Sequence, residues 1–285
     1  MRTRDKIKMV ISSILLTVKF FALSLFSRRK IVDGNERFIV SLTSYGKRVN
    51  YVFLTLESIL HQNRVRPMRV ILWLYKKDKP SGFSKYIINK QISRGVEVIY
   101  LEDDYKSFKK LSYILNVAEN CPYVVTADDD ILYPGNWLQG FNDCINQDPD
   151  SIYCYRARLI NFTNTDEVAS YNSWQVVNEK RSHNNLLIPT GVSGVCYPIK
   201  YLDKRLEDFH SISSLCPYAD DIWYKLLTTS NGCVSRLVFT SSIHFTPVIT
   251  GFSKGLEMIN VKTDYNTQQF NNALTYFNLK KSDFM

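Results

Sequence analysis

The chain has 285 residues, 45% of them hydrophobic, so it can bury a full core and is not a disordered chain. Its net charge is +9, and most of this charge lies in residues 1–30, which hold eight Lys or Arg residues and one Asp. The other 255 residues hold 28 basic and 26 acidic residues. Such a nearly neutral body excludes the basic surface of a nucleic-acid-binding domain.

The N-terminal segment combines these basic residues with an apolar run, "MVISSILLTVKFFALSLF", from Met9 to Phe26. The run is close to the minimum length of a membrane span, and both of its flanks are positive, so the positive-inside rule gives no orientation. We expect residues 1–30 to form a helix that binds an anionic membrane surface. A true span and a helix packed on the domain are the alternatives.

Six scattered cysteines without a CxxC pair are typical of reduced, buried thiols. This cysteine usage favours the cytoplasmic side of the membrane, where the protein would be peripheral or single-pass.

The first half of the chain alternates predicted strands and helices, which is the pattern of βαβ units and a mostly parallel sheet. The strands are continuously apolar, as in sheets that are covered on both faces. Strands are predicted at Arg37–Tyr45, Met68–Tyr75, Val96–Glu102 and Tyr123–Ala127, and helices in "VNYVFLTLESILHQ", "GFSKYIINKQISRG" and "SFKKLSYILNVAEN".

The second half is less regular. Strands are predicted in "SIYCYRARLINF", "GVSGVCYP" and "CVSRLVFT", and helices in "DDIWYKLLTTSNG" and "NTQQFNNALTYFNL". No linker separates the two halves, so we expect residues 31–285 to form a single α/β domain after the membrane-associating segment 1–30.

Three consecutive aspartates follow the fourth predicted strand. Alternate side chains of an extended segment share a face, so Asp128 and Asp130 are predicted to point at one cation while Asp129 turns away. Mg²⁺ or Mn²⁺ bound by one or two carboxylates and substrate phosphates fits this spacing. A solvated acidic turn is the alternative. The stretches "SLTSYGKR" and "LEDDYK" also follow predicted strands, so all three should converge at one sheet edge.

Five motifs together resemble the GT-A glycosyltransferases, specifically bacterial family 2-like enzymes that build surface polysaccharides. These motifs are "VSLTSYGKR", "YKSFKKL", "TADDDILYPGNW", "TGVSGVCYP" and "YADDIWY", and the resemblance covers roughly residues 36–280. It implies a Rossmann-like GT-A sheet flanked by helices. It also implies metal-dependent transfer of a sugar from a nucleotide-diphosphate donor to a glycan or lipid-linked acceptor.

The resemblance implies roles for the acidic residues. Asp128 would lie near the ribose and the metal, Asp130 would bind the metal, and His244 would be a third metal ligand. Asp221, or Asp220 as second choice, would be the general base of an inverting reaction. Asp is also a preferred helix N-cap, which is the structural alternative for this pair.

Further donor contacts are implied in the first half of the chain. Ser41, Thr43 and Tyr45 would contact the nucleotide, and Arg48 a phosphate. Strand-end turn chemistry is the alternative for this stretch.

Another implied donor contact follows the third strand. Asp104 would bind the base or ribose, and Lys110, rather than Lys109, would reach the nucleotide.

Two implied contacts lie later in the chain. Gly194, with Gly191, would form the wall of the donor-sugar or acceptor site, or otherwise a bulge or tight bend. Lys254 would close over the diphosphate. Because that last pattern faintly resembles retaining GT-A families, inversion and retention both stay open.

Two other functions are compatible with these motifs. A nucleotidyltransferase of similar fold would need a glycine-rich basic loop after the first strand, where "TSYGKR" has one glycine. A non-catalytic carbohydrate-binding protein would not need Asp128, Asp130 and Asp221 together.

Overall fold

The computed structural model describes residues 3–31, 37–178, 185–249 and 264–285. Its α-helices are α1 (Thr3–Phe26), α2 (Val52–Leu60), α3 (Gly82–Ile92), α4 (Lys109–Ser112), α5 (Trp137–Ile145), α6 (Phe209–Leu215), α7 (Asp220–Ser230) and α8 (Tyr265–Tyr276). Its strands are β1 (Phe38–Thr43), β2 (Arg69–Tyr75), β3 (Val96–Leu101), β4 (Tyr123–Ala127), β5 (Ile131–Leu132), β6 (Ile152–Cys154), β7 (Ala157–Leu159), β8 (Leu187–Pro189), β9 (Val195–Pro198), β10 (Ser235–Leu237) and β11 (Thr246–Pro247).

A seven-stranded sheet lies at the centre, in the order β10-β6-β9-β4-β1-β2-β3. All neighbouring strands are parallel except β9, which runs antiparallel to β4 and to β6. The start of β9 therefore lies at the edge where β4 ends, with Val195 opposite Thr126. This reversal brings the glycine-containing turn before β9 to the edge where the parallel strands end.

The sheet is covered on both faces, as the continuously apolar strands predicted. Alternate residues of β1 belong to different hydrophobic clusters: Ile39 packs in one cluster, and Phe38, Val40 and Leu42 pack in the other. This division follows from the two-residue repeat of a strand. The predicted α/β class with a mostly parallel sheet is therefore confirmed.

Two predicted elements differ from the structure. The helix predicted in "SFKKLSYILNVAEN" is reduced to the four residues of α4, between 3₁₀ turns at Lys106–Phe108 and Ile114–Asn116. The strand predicted in "SIYCYRARLINF" is two strands, because β6 joins the central sheet whereas β7 pairs with β8. Both interruptions lie beside the candidate site described below.

Helix α1 packs on the domain and keeps an apolar outer face. It contacts α2, α3, β5 and β11, and the Ser13 hydroxyl donates a 2.7 Å hydrogen bond to the carbonyl of Pro247. Ser13, Phe20 and Ser24 are buried, whereas Leu15 and Val18 are 65% and 63% exposed. By length and composition the helix is able to cross a membrane. Many of its apolar residues thus face outward, whereas Phe20 and several small polar residues face the protein.

The six cysteines form no disulfide with one another in the part of the chain that the structure describes. Five of these thiols are buried, as predicted, and Cys144 is half-buried.

Candidate functional site

A cavity of about 440 Å³ lies at the edge of the sheet where β1 and β4 end. Its walls include the residues after β4, the loop after β1, the turn before β9 and the start of α7. Four of the aspartates singled out in the sequence line it: Asp128, Asp130, Asp220 and Asp221. Two acidic motifs that are about ninety residues apart in the chain therefore share one cavity.

The central aspartate of the triplet is a structural residue. Asp129 is 7% exposed, accepts a 2.5 Å hydrogen bond from the Ser44 hydroxyl and forms a 3.0 Å ion pair with Arg48. The Thr55 hydroxyl donates a 2.9 Å hydrogen bond to the Asp129 carbonyl. Asp129 also lines the cavity, but these contacts join it to the loop after β1 and to α2.

Asp130 shares Arg48 with Asp129, since the guanidinium also forms an ion pair with the Asp130 carboxylate. Burial raises the pKa of Asp130 to about 7, the Asp128 and Asp129 carboxylates add to this increase, and Arg48 opposes it. Burial likewise raises the pKa of Asp129, against the opposing effects of Arg48 and Ser44. Asp130 is therefore a partly buried carboxyl group that would gain from a second cation.

Lys110 joins the two acidic motifs. Its Nζ atom is 3.1 Å from Asp128 Oδ1 and 2.9 Å from Asp220 Oδ2, and the side chain is nearly fully buried. Burial alone would lower the pKa of Lys110, but the carboxylates of Asp128, Asp220 and Asp221 raise it well above its ordinary value. The ammonium group stays charged and balances an acidic cluster that would otherwise repel itself.

Asp220 and Asp221 form the first turn of α7, but neither is its N-cap, which is Ala219. Asp220 accepts a 2.8 Å hydrogen bond from the Ser107 hydroxyl in addition to its ion pair with Lys110. Asp221 Oδ2 accepts a 3.0 Å hydrogen bond from the Gly191 backbone N–H. The capping alternative for this pair is therefore wrong for the helix that it begins.

The environment of Asp221 changes its acidity. Burial and the neighbouring Asp220 carboxylate raise the pKa of Asp221 to about 7, while Lys110 and the Gly191 N–H oppose this increase. A carboxyl group with a pKa near neutrality is suited to accept a proton during a reaction at cellular pH.

Gly191 leaves space between the charged groups. A Cβ atom at this position would lie 2.9 Å from Lys110 Nζ, 3.2 Å from Asp221 Oδ1 and 3.5 Å from Asp128 Oδ1. Any side chain here would crowd the ends of both acidic motifs. The close backbone approach expected around "GVSG" is therefore found at Gly191.

Several other predicted contacts line the cavity. Thr43, Tyr45 and Arg48 reach it from the loop after β1, and His244 lies on another part of its wall. Arg48 lies over the Tyr45 ring, 5.4 Å from its centroid. Of the two lysines that were weighed, Lys110 lines the cavity, whereas Lys109 forms an ion pair with Asp104.

Three predicted contacts lie elsewhere within the described part of the chain. Ser41 is buried, donates a hydrogen bond to the Lys110 carbonyl and accepts one of 2.8 Å from the Trp73 indole. Asp104 pairs with Lys109 outside the cavity wall. Gly194 has φ +94° and lies beneath Trp137, where a Cβ atom would be 2.6 Å from the ring. Lys254 lies outside the described residues.

Sequence reasoning missed a group of cavity residues from the second half of the chain. Arg156 donates a 3.0 Å hydrogen bond to the Thr190 hydroxyl, and Arg158 donates one of 2.8 Å to the Trp174 carbonyl. Tyr171, Tyr218 and Asn266 also line the cavity. The two arginines alternate in "YRARL", where Arg156 lies between β6 and β7 and Arg158 lies in β7, and this alternation was the available signal.

The residues fit a cation only in part. Among the described residues, no group of three or more His, Cys, Asp and Glu side chains is placed to hold a metal ion. His244 is thus not grouped with the aspartates, although it lines the same cavity. Asp128 and Asp130 supply the hard oxygen atoms that Mg²⁺ and Mn²⁺ prefer, and a cation held by them would need phosphate oxygens or water as further ligands.

Comparison with solved structures identifies the fold. The mannosyltransferase PcManGT from Pyrobaculum calidifontis, solved in complex with GDP-Man and Mn²⁺, matches 94% of this chain and 76% of its own chain. The TM-score is 0.51 and the sequence identity is 11%. The chain has a glycosyltransferase fold.

A second similar structure is that of residues 1–349 of TarS from S. aureus. The match covers 85% of the present chain and 72% of the TarS chain, with 17% identity and a TM-score of 0.49. TarS 1–349 has also been solved in complex with UDP. No family model and no curated protein sequence matches the chain.

Proposed function

We propose that this protein is a glycosyltransferase that moves a sugar from a nucleotide-diphosphate donor to a hydroxyl group of a glycan or lipid-linked acceptor, within a single catalytic unit of residues 31–285. The main observation is that Lys110 bridges the acidic triplet after β4 and the acidic start of α7 inside one cavity. A transfer needs a group that holds the charged donor and a base that takes the acceptor proton. The shared fold with a mannosyltransferase supports this reading.

The donor would bind beside the ends of β1 and β4. Tyr45 offers a ring and a hydroxyl group to the nucleotide, Thr43 lies beside it, and Arg48 has the planar fork that suits phosphate oxygens. Arg48 already pairs with Asp129 and Asp130, so a diphosphate would compete with these carboxylates for its N–H groups.

A divalent cation would restore that charge balance. Asp128 and Asp130 would hold Mn²⁺ or Mg²⁺ together with the donor phosphates, as in sites where the protein supplies only one or two carboxylates. The bound cation would neutralise the negative charge of the departing diphosphate. Asp130, with its pKa raised to about 7, would lose its proton when the cation binds.

Asp221 would act as the general base. Asp220 is held by Lys110 and Ser107, whereas Asp221 accepts a hydrogen bond from the backbone N–H of Gly191. As the acceptor oxygen forms its bond to the anomeric carbon, the bond to the diphosphate oxygen breaks, and the acceptor proton passes to Asp221. A direct displacement of this kind inverts the configuration at the anomeric carbon and releases the nucleoside diphosphate.

The N-terminal segment would keep the enzyme on the cytoplasmic surface of a membrane. The outward face of α1 is apolar, with Leu15 and Val18 mostly exposed, and residues 1–30 carry eight basic side chains. This combination favours binding in the interface of an anionic bilayer. The inner face of α1 packs on α2 and α3, which favours a helix that lies along the surface over one that leaves the domain to span.

A thermal-shift panel of nucleoside diphosphates and nucleotide sugars, each with and without Mn²⁺, tests this function. A ligand present at 100 times its dissociation constant should stabilise the protein by about 2.7 kcal/mol. We expect a shift for one nucleotide class that requires Mn²⁺ and that the Asp130→Ala variant loses. No shift with any nucleotide, from well-folded wild-type protein, would contradict the proposal.

A further inference from the structure

A second cavity, of about 380 Å³, lies between helix α1 and the segment that follows the acidic triplet. We call it the α1 cavity. Leu16, Lys19 and Phe20 line it from the helix, Tyr133 and Pro134 line it from the segment after β5, and Phe245 lines it from the segment before β11. Its size is in the range of about 300–1,000 Å³ that is typical of ligand pockets.

The α1 cavity adjoins the candidate active site. His244 lines both cavities. Tyr133 also lines the α1 cavity, and its hydroxyl group accepts a 2.9 Å hydrogen bond from the backbone N–H of Asp128. A molecule in the α1 cavity would therefore contact the ring that supports the acidic triplet, and its far end would lie next to the catalytic cavity.

The chemistry of the wall suits a chain with an anionic head. Most of the described lining is apolar or aromatic, Lys19 contributes an ammonium group, and no acidic side chain is among the described lining residues. Lys19 Nζ lies 5.2 Å from the centroid of the Phe20 ring, so the charge stands at the rim of an apolar surface. Apolar walls bury hydrocarbon, and a single ammonium group pairs with a phosphate.

The position of the cavity matches the side from which a membrane lipid would arrive. Helix α1 forms one wall of the α1 cavity with Leu16 and Lys19. The residues next to them in the chain, Leu15 and Val18, are exposed on the outer face of the helix. If that face lies in the bilayer interface, the cavity is at membrane level and the catalytic cavity lies beyond it.

We propose that the α1 cavity binds the hydrocarbon chain and phosphate of a membrane lipid that carries the acceptor, with Lys19 on the phosphate and the acceptor group directed past His244 into the catalytic cavity. This inference rests on the proposed transferase function and names the class of its acceptor, a hydroxyl group carried on a lipid phosphate. It assigns Lys19 a binding role and no role in the chemical step.

Photo-labelling with a diazirine-bearing decyl phosphate, on the full chain in detergent-free buffer, tests this proposal. Labelled residues are mapped by peptide mass spectrometry, with farnesyl phosphate as competitor and inorganic phosphate as the control for the head group alone. We expect label on the segments that contain Tyr133 and Phe245, competed by farnesyl phosphate and not by inorganic phosphate. Label spread over the outer face of α1, with none in the cavity, would overturn the proposal.

Matched lysine variants separate the cavity from general attraction to a membrane. Lys8 and Lys19 are eleven residues apart and therefore lie on nearly the same face of α1. Lys19→Gln should weaken labelling about tenfold, the effect of one lost charge-assisted hydrogen bond, whereas Lys8→Gln should leave it unchanged. Equal losses in both variants would overturn the proposal.

A cavity-filling variant gives an independent test. Leu16→Trp should abolish cavity labelling while the protein still floats with vesicles that contain phosphatidylglycerol, because the outer face of α1 is unchanged. Labelling that persists in Leu16→Trp would overturn the proposal. Nucleotide thermal shifts, measured on the same samples, report on the transferase function separately: normal shifts with no cavity labelling would remove only the lipid site.

Discussion

Replacing Lys110 by Met would remove the one charge that joins the two acidic motifs. The substitution keeps an unbranched side chain of similar length and leaves Asp128 and Asp220 without their ion-pair partner at 3.1 and 2.9 Å. Removing one member of a buried ion pair typically costs about 3–5 kcal/mol. We expect a loss of this size in the free energy of unfolding at pH 7.

The loss should depend on pH in a defined direction. Lys110 opposes the increase in the pKa of Asp221, so that pKa should rise above about 7 in the variant. A carboxyl group with a raised folded-state pKa holds its proton in the folded protein at pH values where the unfolded chain has lost it. Wild-type Asp221, whose pKa is about 7, takes up the same proton on acidification, so the variant gains on wild type mainly between pH 7 and its own higher pKa, by up to about 1.4 kcal/mol per pH unit. The loss should therefore be smaller at pH 6 than at pH 8.

Urea unfolding of wild type and variant at pH 5, 6, 7 and 8 measures this effect, with Lys225→Met as the matched control. Lys225 is also buried, but its Nζ atom contacts the neutral Asn185 and Ser235. Burial lowers the pKa of Lys225 to about 7, so the group is largely charged in both states below that pH. Lys225→Met should show no comparable loss in the free energy of unfolding. The difference in this free energy between Lys225→Met and wild type should be nearly constant from pH 5 to 6.

Two results would refute this reasoning. One is a loss in Lys110→Met that does not change between pH 6 and pH 8, which would mean that the substitution costs only packing. The other is an equal loss in Lys225→Met, which would mean that burial of a lysine matters more than its carboxylate partners.

Three further predictions concern the candidate active site. Asp221→Asn should leave nucleotide binding intact and lower kcat by about 10²–10⁴-fold. In the wild type, kcat/KM should rise with pH through about 7 as Asp221 loses its proton. Sugar transfer that survives the substitution would place the base elsewhere. The affinity for Mn²⁺, measured by calorimetry with bound nucleoside diphosphate, should also rise with pH through about 7, because Asp130 must lose its proton to bind the cation. Asp130→Asn should abolish the Mn²⁺-dependent binding of nucleotide. An Mn²⁺ affinity that does not change with pH would argue against Asp130 as a ligand. Gly191→Ala should lower kcat by about 100-fold with a normal melting temperature, because the new Cβ atom would be 2.9 Å from Lys110 Nζ and would displace this ammonium group. Unchanged kinetics would show that the site tolerates a displaced Lys110.

The regular part of the fold could be predicted because it depends on local pattern. The strands β1, β2 and β4 are largely buried on both faces and β3 is partly exposed at the sheet edge, and each lies within the stretch predicted from the sequence. The reversal of β9 could not be predicted in this way, since the direction of a strand does not affect its hydrophobic pattern. That reversal is what brings Gly191 to the site.

The site was predictable where residue type alone limits the role. A run of three aspartates at the end of a buried strand needs compensating charge, and the structure supplies it from Arg48 and Lys110. The partners of Ser41 and Asp104 could not be predicted, because hydroxyl and carboxyl groups at strand ends serve structure and binding equally well. In this chain Ser41 fixes the Lys110 backbone and Asp104 pairs with Lys109.

The three adjacent aspartates are tolerated because they are divided between two cations from different parts of the chain. Asp129 is tied to the loop after β1, Asp130 shares the same arginine, and Asp128 is paired with Lys110. This balance is incomplete, since the pKa of Asp130 is still raised to about 7. Burial raises the pKa of the structural Asp129 as well, but only 6% of the Asp129 side chain is exposed, against 26% of the Asp130 side chain. Asp130 is therefore the carboxyl group of this pair that a cation with a phosphate ligand could reach, which favours a binding role over a purely structural one.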